Sequence, residues 1–380
     1  MTADKILQRT AMAARLMAAA GPARKASALR LAAARIRGQA EELETAARLD
    51  DRRFSADTAA ALADGILKLA DKPDPVGSVL SGGRRTDGLT LSAVRVPLGA
   101  VGVLDGGDPA AVIRFAALLT AGGNTALFGA EPQRNRAASL AVELFRRALL
   151  EAGLPADGVA ALSGTDAAWL LTSPVLRRLV VCPGASLTAK AVGGCVPPCL
   201  VLTDPVTHLY AAPDADPAEI AELAVAAAVS PMPLHTLLLH REAINAVLPP
   251  LLECARAAGL RLCGDETLCR MPGFSPADNW RTPAPGSLFV RTVDSQNEAL
   301  ARIQLCGSGH LAGIVTRDLR AAQRFAAGAD TAAVTVNTVP TWRAEDVLSP
   351  GLAAGTVRGP ITVETFMTEK QLLSGSGQAF

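Results

Sequence analysis

Apolar residues recur along this chain in two rhythms, one at helical spacing and one in short continuous runs. From Met1 to Ala70 the sequence is rich in Ala, Leu, Arg and Glu, and segments such as Ala26 to Ala47 repeat apolar positions at helical intervals, which predicts two or three helices. The Pro73-Asp74-Pro75-Val76-Gly77 cluster breaks that pattern. Leu89 to Val96 alternates apolar residues with Thr, Ser and Arg, as an exposed strand does, and Ala100 to Leu104 is an apolar run of buried-strand type.

The alternation then continues. Ala110 to Thr120 predicts a helix, Thr125 to Phe128 a strand, and Arg136 to Ala152 a long amphipathic helix ended by Gly153. Gly158 to Leu162, Arg178 to Cys182 and Pro198 to Thr203 predict strands with helices between them. Such spacing implies parallel pairing through crossovers and a doubly wound sheet. Beyond Pro217, helix Ala218 to Val229 opens a second alternating set. Its strands are Thr236 to Leu239, Leu260 to Cys263, Ser287 to Val293, Ala312 to Thr316 and Ala332 to Asn337; its helices are Ala243 to Ala258, Ser295 to Cys306 and Leu319 to Gly328. The expected division is a first domain over 1–217 with a helical N-terminus, a second over 218–345, and a C-terminal segment over 346–380.

Composition narrows the function classes. The 380 residues are 49% hydrophobic and 19% charged, with a formal net charge of +1. That suits a globular chain with two cores. Scattered Lys and Arg give no electrostatic footprint for nucleic acid or membrane. No apolar core of signal-peptide type forms near the start and no run reaches the roughly 20 apolar residues a bilayer requires, so a cytoplasmic protein is expected. The seven cysteines include no pair at Cys-x-x-Cys spacing, and the four histidines are spread too widely in sequence for a metal constellation. Reduced thiols, mostly packed as small hydrophobes, are the expectation.

Several islands carry a resemblance. They are Asp74-Pro75-Val76-Gly77, Arg95-Val96-Pro97-Leu98-Gly99, Gly123-Asn124, Gly153-Leu154-Pro155, His208-x-Tyr210, Asp214-Ala215-Asp216, Thr236 to His240, Gly264-Asp265, Gly307-Ser308-Gly309-His310, Arg358-Gly359-Pro360 and Lys370 to Gln378. In order and spacing they resemble the aldehyde dehydrogenase superfamily, nearest its gamma-glutamyl phosphate reductase (glutamate-5-semialdehyde dehydrogenase) branch. The resemblance implies an α/β, aldehyde-dehydrogenase-like fold of two doubly wound parallel-sheet domains plus a small oligomerisation hairpin. It also implies a homodimer, with Leu89 to Val96 and the tail Pro360 to Leu373 supplying the associating strands. The implied chemistry is transfer of an acyl group from its phosphate to a cysteine thiolate, then reduction of the thioester by NADPH.

The departures from the family are as informative. Its nucleophile segment reads roughly Arg-Pro-Gly-x-Cys-Asn-Ala-x-Glu-Thr-Leu-Leu-Val-His. Counting back from His240 sets Pro231 opposite the cysteine, Met232 opposite the asparagine and His235 opposite the glutamate. Ser230 is a substitute nucleophile only if a base such as His235 reaches it, and is otherwise a plain loop residue. The pocket motif Tyr-Glu-Ala-Arg-Pro-Asn has become Asp105-Gly106-Gly107-Asp108-Pro109-Ala110, which sets an acid, Asp108, where the family has its arginine.

The cofactor loop has become Gly122-Gly123-Asn124 through Gly129, without its basic residue, and Pro-Arg-Gly-Gly has become Cys182-Pro183-Gly184-Ala185. Asn337 is kept, but the closing segment between Gly351 and Arg358 is short.

If the cofactor cleft survives, Gly122, Gly123, Asn124, Gly129 and Gly184 are its candidate NADP contacts, since glycine turns expose backbone donors; a tight structural turn is the competing explanation. Cys182 and Cys306 are either relocated nucleophiles or packing residues. His208 and His310 match family histidines and need no catalytic role. Asp105 and Asp108 sit where a core strand ends, and either bind a cation or an amine or form a solvated turn.

Three functions follow: a degenerate relative acting as a binding, scaffolding or regulatory subunit, a repurposed enzyme using Asp105, Asp108, Ser230 or His235, or a residual NADPH-dependent reductase. The scaffold implies a partner such as a glutamate kinase or an intact reductase. No metal is expected.

Overall fold

The computed structural model describes residues 3–130, 135–163, 167–183, 194–203, 205–230, 232–276, 286–341, 348–349, 351–354 and 358–375. The chain divides into two compact units. One comprises Met1–Leu202, Ala344–Gly351 and Pro360–Phe380; the other comprises Thr203–Arg343 and Leu352–Gly359.

The first unit opens with helices α1 (Ala3–Ala18), α2 (Pro22–Gly38), α3 (Ala40–Leu49) and α4 (Ala56–Ala70). Strands β1 (Val79–Arg84) and β2 (Thr90–Pro97) pair antiparallel. A parallel sheet follows, built from β3 (Ala100–Leu104), β4 (Thr125–Ala130), β5 (Val159–Ser163), β6 (Arg178–Val181) and β7 (Cys199–Val201), in the order β5-β4-β3-β6-β7. Helix α5 (Pro109–Ala121) joins β3 to β4, and α6 (Arg136–Glu151) lies between β4 and β5. α5 is buried around most of its circumference, because α2, α4 and α6 as well as β4 pack against it. That explains its near-continuous apolar sequence. It starts where the Asp108 carboxylate accepts from the Ala110 amide at 2.9 Å and Pro109 occupies the first turn.

Every residue of β3 is buried, as expected of a central parallel strand covered on both faces. From β3 the chain builds outward through β4 and β5 on one side, then returns to add β6 and β7 on the other. The strand order therefore reverses at the β3/β6 boundary, and in open α/β sheets ligands bind outside the carboxyl ends of strands at such a reversal.

The second unit holds a seven-stranded sheet. Its strands are β8 (Thr207–Ala211), β9 (Leu234–His240), β10 (Arg261–Gly264), β11 (Phe274–Pro276), β12 (Ser287–Val293), β13 (Leu311–Val315) and β14 (Ala333–Val336). They run parallel in the order β11-β10-β12-β9-β8-β13-β14. A short sheet pairs β15 (Leu352–Ala354) with β16 (Arg358–Pro360), and β17 (Met367–Ser374) pairs antiparallel with β2 in the first unit.

The expected α/β architecture with two parallel sheets is present. Several details differ from the sequence expectation, beginning with four N-terminal helices where two or three were predicted. The first boundary falls between residues 202 and 203 rather than at 217, because β8 pairs with β9 and β13 and so belongs to the second sheet. β8 itself was not anticipated: Thr-His-Leu-Tyr-Ala shows no clean apolar run, yet all five residues are buried. The C-terminal segment is also shared, since 352–359 goes with the second unit and 360–380 with the first.

Candidate functional site

At the β3/β6 reversal, Leu104 is the register partner of Val181, and the Cys182 amide donates to the Leu104 carbonyl at 2.9 Å. Asp105 and Cys182 thus end two neighbouring strands. The chain leaves β3 through Gly106 and Gly107 at φ of 64° and 81°, a left-handed pair that glycine adopts without strain. This turn brings the Gly107 amide 2.6 Å from Asp105 Oδ1. Asp105 is 1% exposed, and its Oδ2 has no hydrogen-bond partner among the described residues.

The electrostatics follow from this burial. Desolvation, reinforced by the charge of Asp108, pushes the Asp105 carboxyl up to about 7, against the opposing pull of the Gly107 amide and the Arg52 charge. Arg52 donates to the Gly106 carbonyl. Burial, and then the charges of Asp105 and Asp108, push the Cys182 thiol well above its ordinary range, so it is not a thiolate at neutral pH. Arg114, in the second turn of α5, is lowered by burial and held up by Asp108. The arrangement can hold or transfer a proton at Asp105; it does not present an activated thiol.

The solvated-turn alternative for this pair is therefore corrected for Asp105, which is buried because β6 packs beside it. Asp108 is half-buried and caps α5. Arg52 and Arg114 were missed in the sequence. Arg52 carries no local signal, but a lone charge inside the apolar run of α5 could have flagged Arg114.

The candidate cofactor glycines have another role. Gly122 and Gly123 close the C-terminus of α5, so their turn precedes β4 and lies at the amino ends of the strands, away from the reversal crevice. Asn124, fully buried, accepts from the Gly99 amide at 2.8 Å and donates to the Phe366 carbonyl at 2.9 Å. It ties three segments together and is a structural residue. Gly129 is a packing glycine: a Cβ there would stand 2.6 Å from Leu170 Cδ1 and 3.1 Å from Leu104 Cδ2. Gly184 lies outside the described residues. Among the described basic groups near this end of the sheet, Arg52 donates to the Gly106 carbonyl and Arg136 to the Leu49 carbonyl, and Arg114 feels the charge of Asp108.

In the second unit, Pro231 lies outside the described residues. Ser230 Oγ donates to the Met232 carbonyl at 2.7 Å. His235 is buried on β9, with Nδ1 2.7 Å from Thr236 Oγ1 and its ring 5.1 Å from that of Phe289, edge to face. These contacts place Ser230 in a local turn and His235 in the core. His208 packs 5.9 Å from the His235 ring, and burial, with the His235 charge adding to it, lowers His208 to about 4. His310 is buried with Nδ1 2.7 Å from Ser308 Oγ. Among the described residues no group of three His, Cys, Asp or Glu side chains is placed to hold a metal ion. No described helix is long and apolar enough to cross a membrane.

Comparison with known proteins bears on the ancestry of this arrangement. No family model matches the chain. The gamma-glutamyl phosphate reductase of Clavibacter michiganensis subsp. michiganensis is 33% identical over 97% of this chain and 88% of the relative. That of Methylocella silvestris is 32% identical over 97% and 89%. In fold, the crystal structure of gamma-glutamyl phosphate reductase from Thermotoga maritima matches with a TM-score of 0.90 at 21% identity, covering all of both chains. An acetylating aldehyde dehydrogenase from Geobacillus thermoglucosidasius matches with a TM-score of 0.71 at 15% identity over 99% of this chain and 97% of that one. With identity above 30% along nearly its whole length, the chain belongs to the gamma-glutamyl phosphate reductase family, in an aldehyde-dehydrogenase-like fold.

Proposed function

We propose that this family member does not run thioester and hydride chemistry, and acts instead as a binding or regulatory subunit. The observation that carries the reading is the segment before β9. From Val229 to His235 it holds no cysteine, and the ungapped count from His240 puts Pro231 at the nucleophile position. A proline has no group that can form an acyl-enzyme. The nearby hydroxyl of Ser230 is engaged by the Met232 carbonyl, and Cys182 is buried with its thiol pushed up, which supports the same reading. Asp108, standing opposite the family's arginine, repels a phosphorylated substrate.

As part of this reading the chain forms a homodimer through the edges of its three-stranded sheet, where Leu372 and Leu373 on β17 are half-exposed. Its partner is an enzyme of the same reaction sequence, either a glutamate kinase or an intact reductase.

A second reading is favoured by one observation, the buried Asp105 carboxyl with a free Oδ2 and a proton affinity near neutrality. Such a group suits general acid–base catalysis at pH 7. The chain would then be a repurposed, non-redox enzyme.

Calorimetric titration with NADPH, and with NADH in parallel, tests the first reading. No heat of binding up to millimolar nucleotide is expected. Micromolar binding together with NADPH-dependent turnover lost on Ser230→Ala or Cys182→Ala would overturn it and restore a residual reductase.

A further inference from the structure

Just before β7 the sequence reads Cys195-Val196-Pro197-Pro198-Cys199, which sets two of the chain's seven cysteines in one stretch of five residues. Each proline fixes its φ and lacks an amide, so the stretch cannot form a helix and has few backbone conformations open to it. The fold anchors it as well. The Val196 amide donates to the Leu171 carbonyl at 2.8 Å, and the Pro198 carbonyl accepts from the Leu179 amide at 2.9 Å. Cys199 then opens β7 in register with Leu179 of β6.

The chain bends at Val196 and Pro197, and the Cys195 and Cys199 thiols become hydrogen-bond partners. Cys199 Sγ also lies 3.5 Å from the Pro197 carbonyl oxygen. Both side chains pack against one apolar cluster, which includes Leu170 and Leu179, yet both remain half-exposed. Cys182 shows that a thiol in this sheet can be packed as a plain buried hydrophobe; burial of that kind requires neither a second thiol nor access to solvent. Contact between two thiols, a fixed backbone around them and access for a reagent are what disulfide formation requires.

The pair is remote from the Asp105 turn. Cys199 stands at the amino end of β7, whereas Asp105 and Cys182 follow the carboxyl ends of β3 and β6. A loop this short gives a disulfide less entropic stabilisation than a long one, which favours a bond that opens and closes over a permanent staple.

We propose that Cys195 and Cys199 form a reversible thiol–disulfide site, oxidised by a low-molecular-weight disulfide such as glutathione disulfide. The Cys195 thiolate attacks one sulfur of the oxidant, the S–S bond breaks, and one glutathione leaves as its thiolate and takes up a proton. Cys199 then gives up its proton to solvent and attacks the Cys195 sulfur of the mixed disulfide, expelling the second glutathione. Two protein thiols are oxidised and one glutathione disulfide is reduced to two glutathiones. Burial, and then the hydrogen bond and charge of Cys195, push the Cys199 thiol up to about 12, so Cys199 is the resolving sulfur.

The test incubates the full chain, folded, in glutathione buffers of graded oxidised-to-reduced ratio, then alkylates the remaining thiols and maps the tryptic peptides. Cleavage after Lys190 and Arg241 leaves Cys195 and Cys199 as the two cysteines of one peptide. That peptide should lose two hydrogens and take no alkyl group, with the far-ultraviolet circular dichroism unchanged, and dithiothreitol should restore two alkylatable thiols. Cys199→Ser should stop the reaction at glutathione on Cys195, and Cys195→Ser should slow modification of the peptide by about tenfold or more. The proposal is overturned if both thiols stay free at ratios that glutathionylate the exposed Cys306, if the peptide carries two glutathiones and no internal disulfide, or if the bond forms only as the circular dichroism is lost.

Discussion

Asp105 and Cys182 stand side by side at the carboxyl end of the five-stranded sheet, linked through the 2.9 Å hydrogen bond from the Cys182 amide to the Leu104 carbonyl. Both side chains are buried, and the charge of Asp105 adds to burial in keeping the thiol protonated. The strand order alone makes them neighbours, since the 76 residues of intervening chain include β4, β5 and their helices before β6 returns to β3.

The raised carboxyl makes stability depend on pH. With a folded value of about 7 against an ordinary 3.8, Asp105 is protonated in the folded state where the unfolded chain has released its proton. Its contribution is full below pH 3.8 and is lost as pH rises through about 7. Asp105→Asn removes the dependence. Urea unfolding at pH 5 and pH 8 should show the variant's advantage growing by about 3 kcal/mol between them, at 1.36 kcal/mol per pH unit. An advantage that stays constant with pH would rule out the buried acid as the cause.

His208 acts with the opposite sign. Its folded value of about 4 lies below the ordinary 6.5, so its contribution is present above pH 6.5 and is lost as pH falls through about 4. His208→Gln should flatten the acid limb of the stability curve by about 3 kcal/mol over that window. An unchanged acid limb would mean that His208 is charged in the folded protein.

Asn124→Ala should destabilise the first unit by about 2–3 kcal/mol, since it strands the half-buried Gly99 donor and the buried Phe366 acceptor together. Asn124→Asp keeps the acceptor and loses the donor, so it should recover only part of the loss. Chemical unfolding of the three proteins ranks them, and a neutral Asn124→Ala would show that the amide is not the tie described.

Thiol labelling separates packing cysteines from reactive ones. Cys306 is exposed, whereas Cys182 is buried with a raised thiol. Peptide mapping after iodoacetamide treatment at pH 8 should show Cys306 modified first and Cys182 modified only after unfolding. Rapid labelling of native Cys182 would instead revive it as a nucleophile.

Association through the three-stranded sheet is tested by charge. Leu372→Lys with Leu373→Lys, placed on β17, should convert a homodimer to monomer in light scattering, at little loss of melting temperature because both positions are half-exposed. A dimer that survives the double change uses another surface.

Much of the architecture was legible because it is written in local pattern. The Ala100 to Leu104 run predicts a buried strand, and Gly153 after Arg136 to Ala152 predicts a helix end; both are found, with α6 closing at Glu151. Pro217 after Asp216 likewise marks a helix start, where Asp216 accepts from the Ala218 amide at 2.9 Å. β8 escaped because Thr207, His208 and Tyr210 are polar by type and buried only through pairing with β9 and β13.

The sequence by itself determined most of the helices and central strands, the family and the thiol-free segment before β9, since periodicity, motif spacing and residue identity need no knowledge of distant partners. Tertiary structure alone decided that Asp105 is a buried acid rather than a solvated turn, and that the Gly122 turn lies at the amino ends of the strands. It also brought Lys25 and Asp74 together on the wall of a cavity. The physical reason is common to all three: desolvation and neighbouring charge are set by which strands and helices pack together, and those partners lie tens of residues apart in the chain.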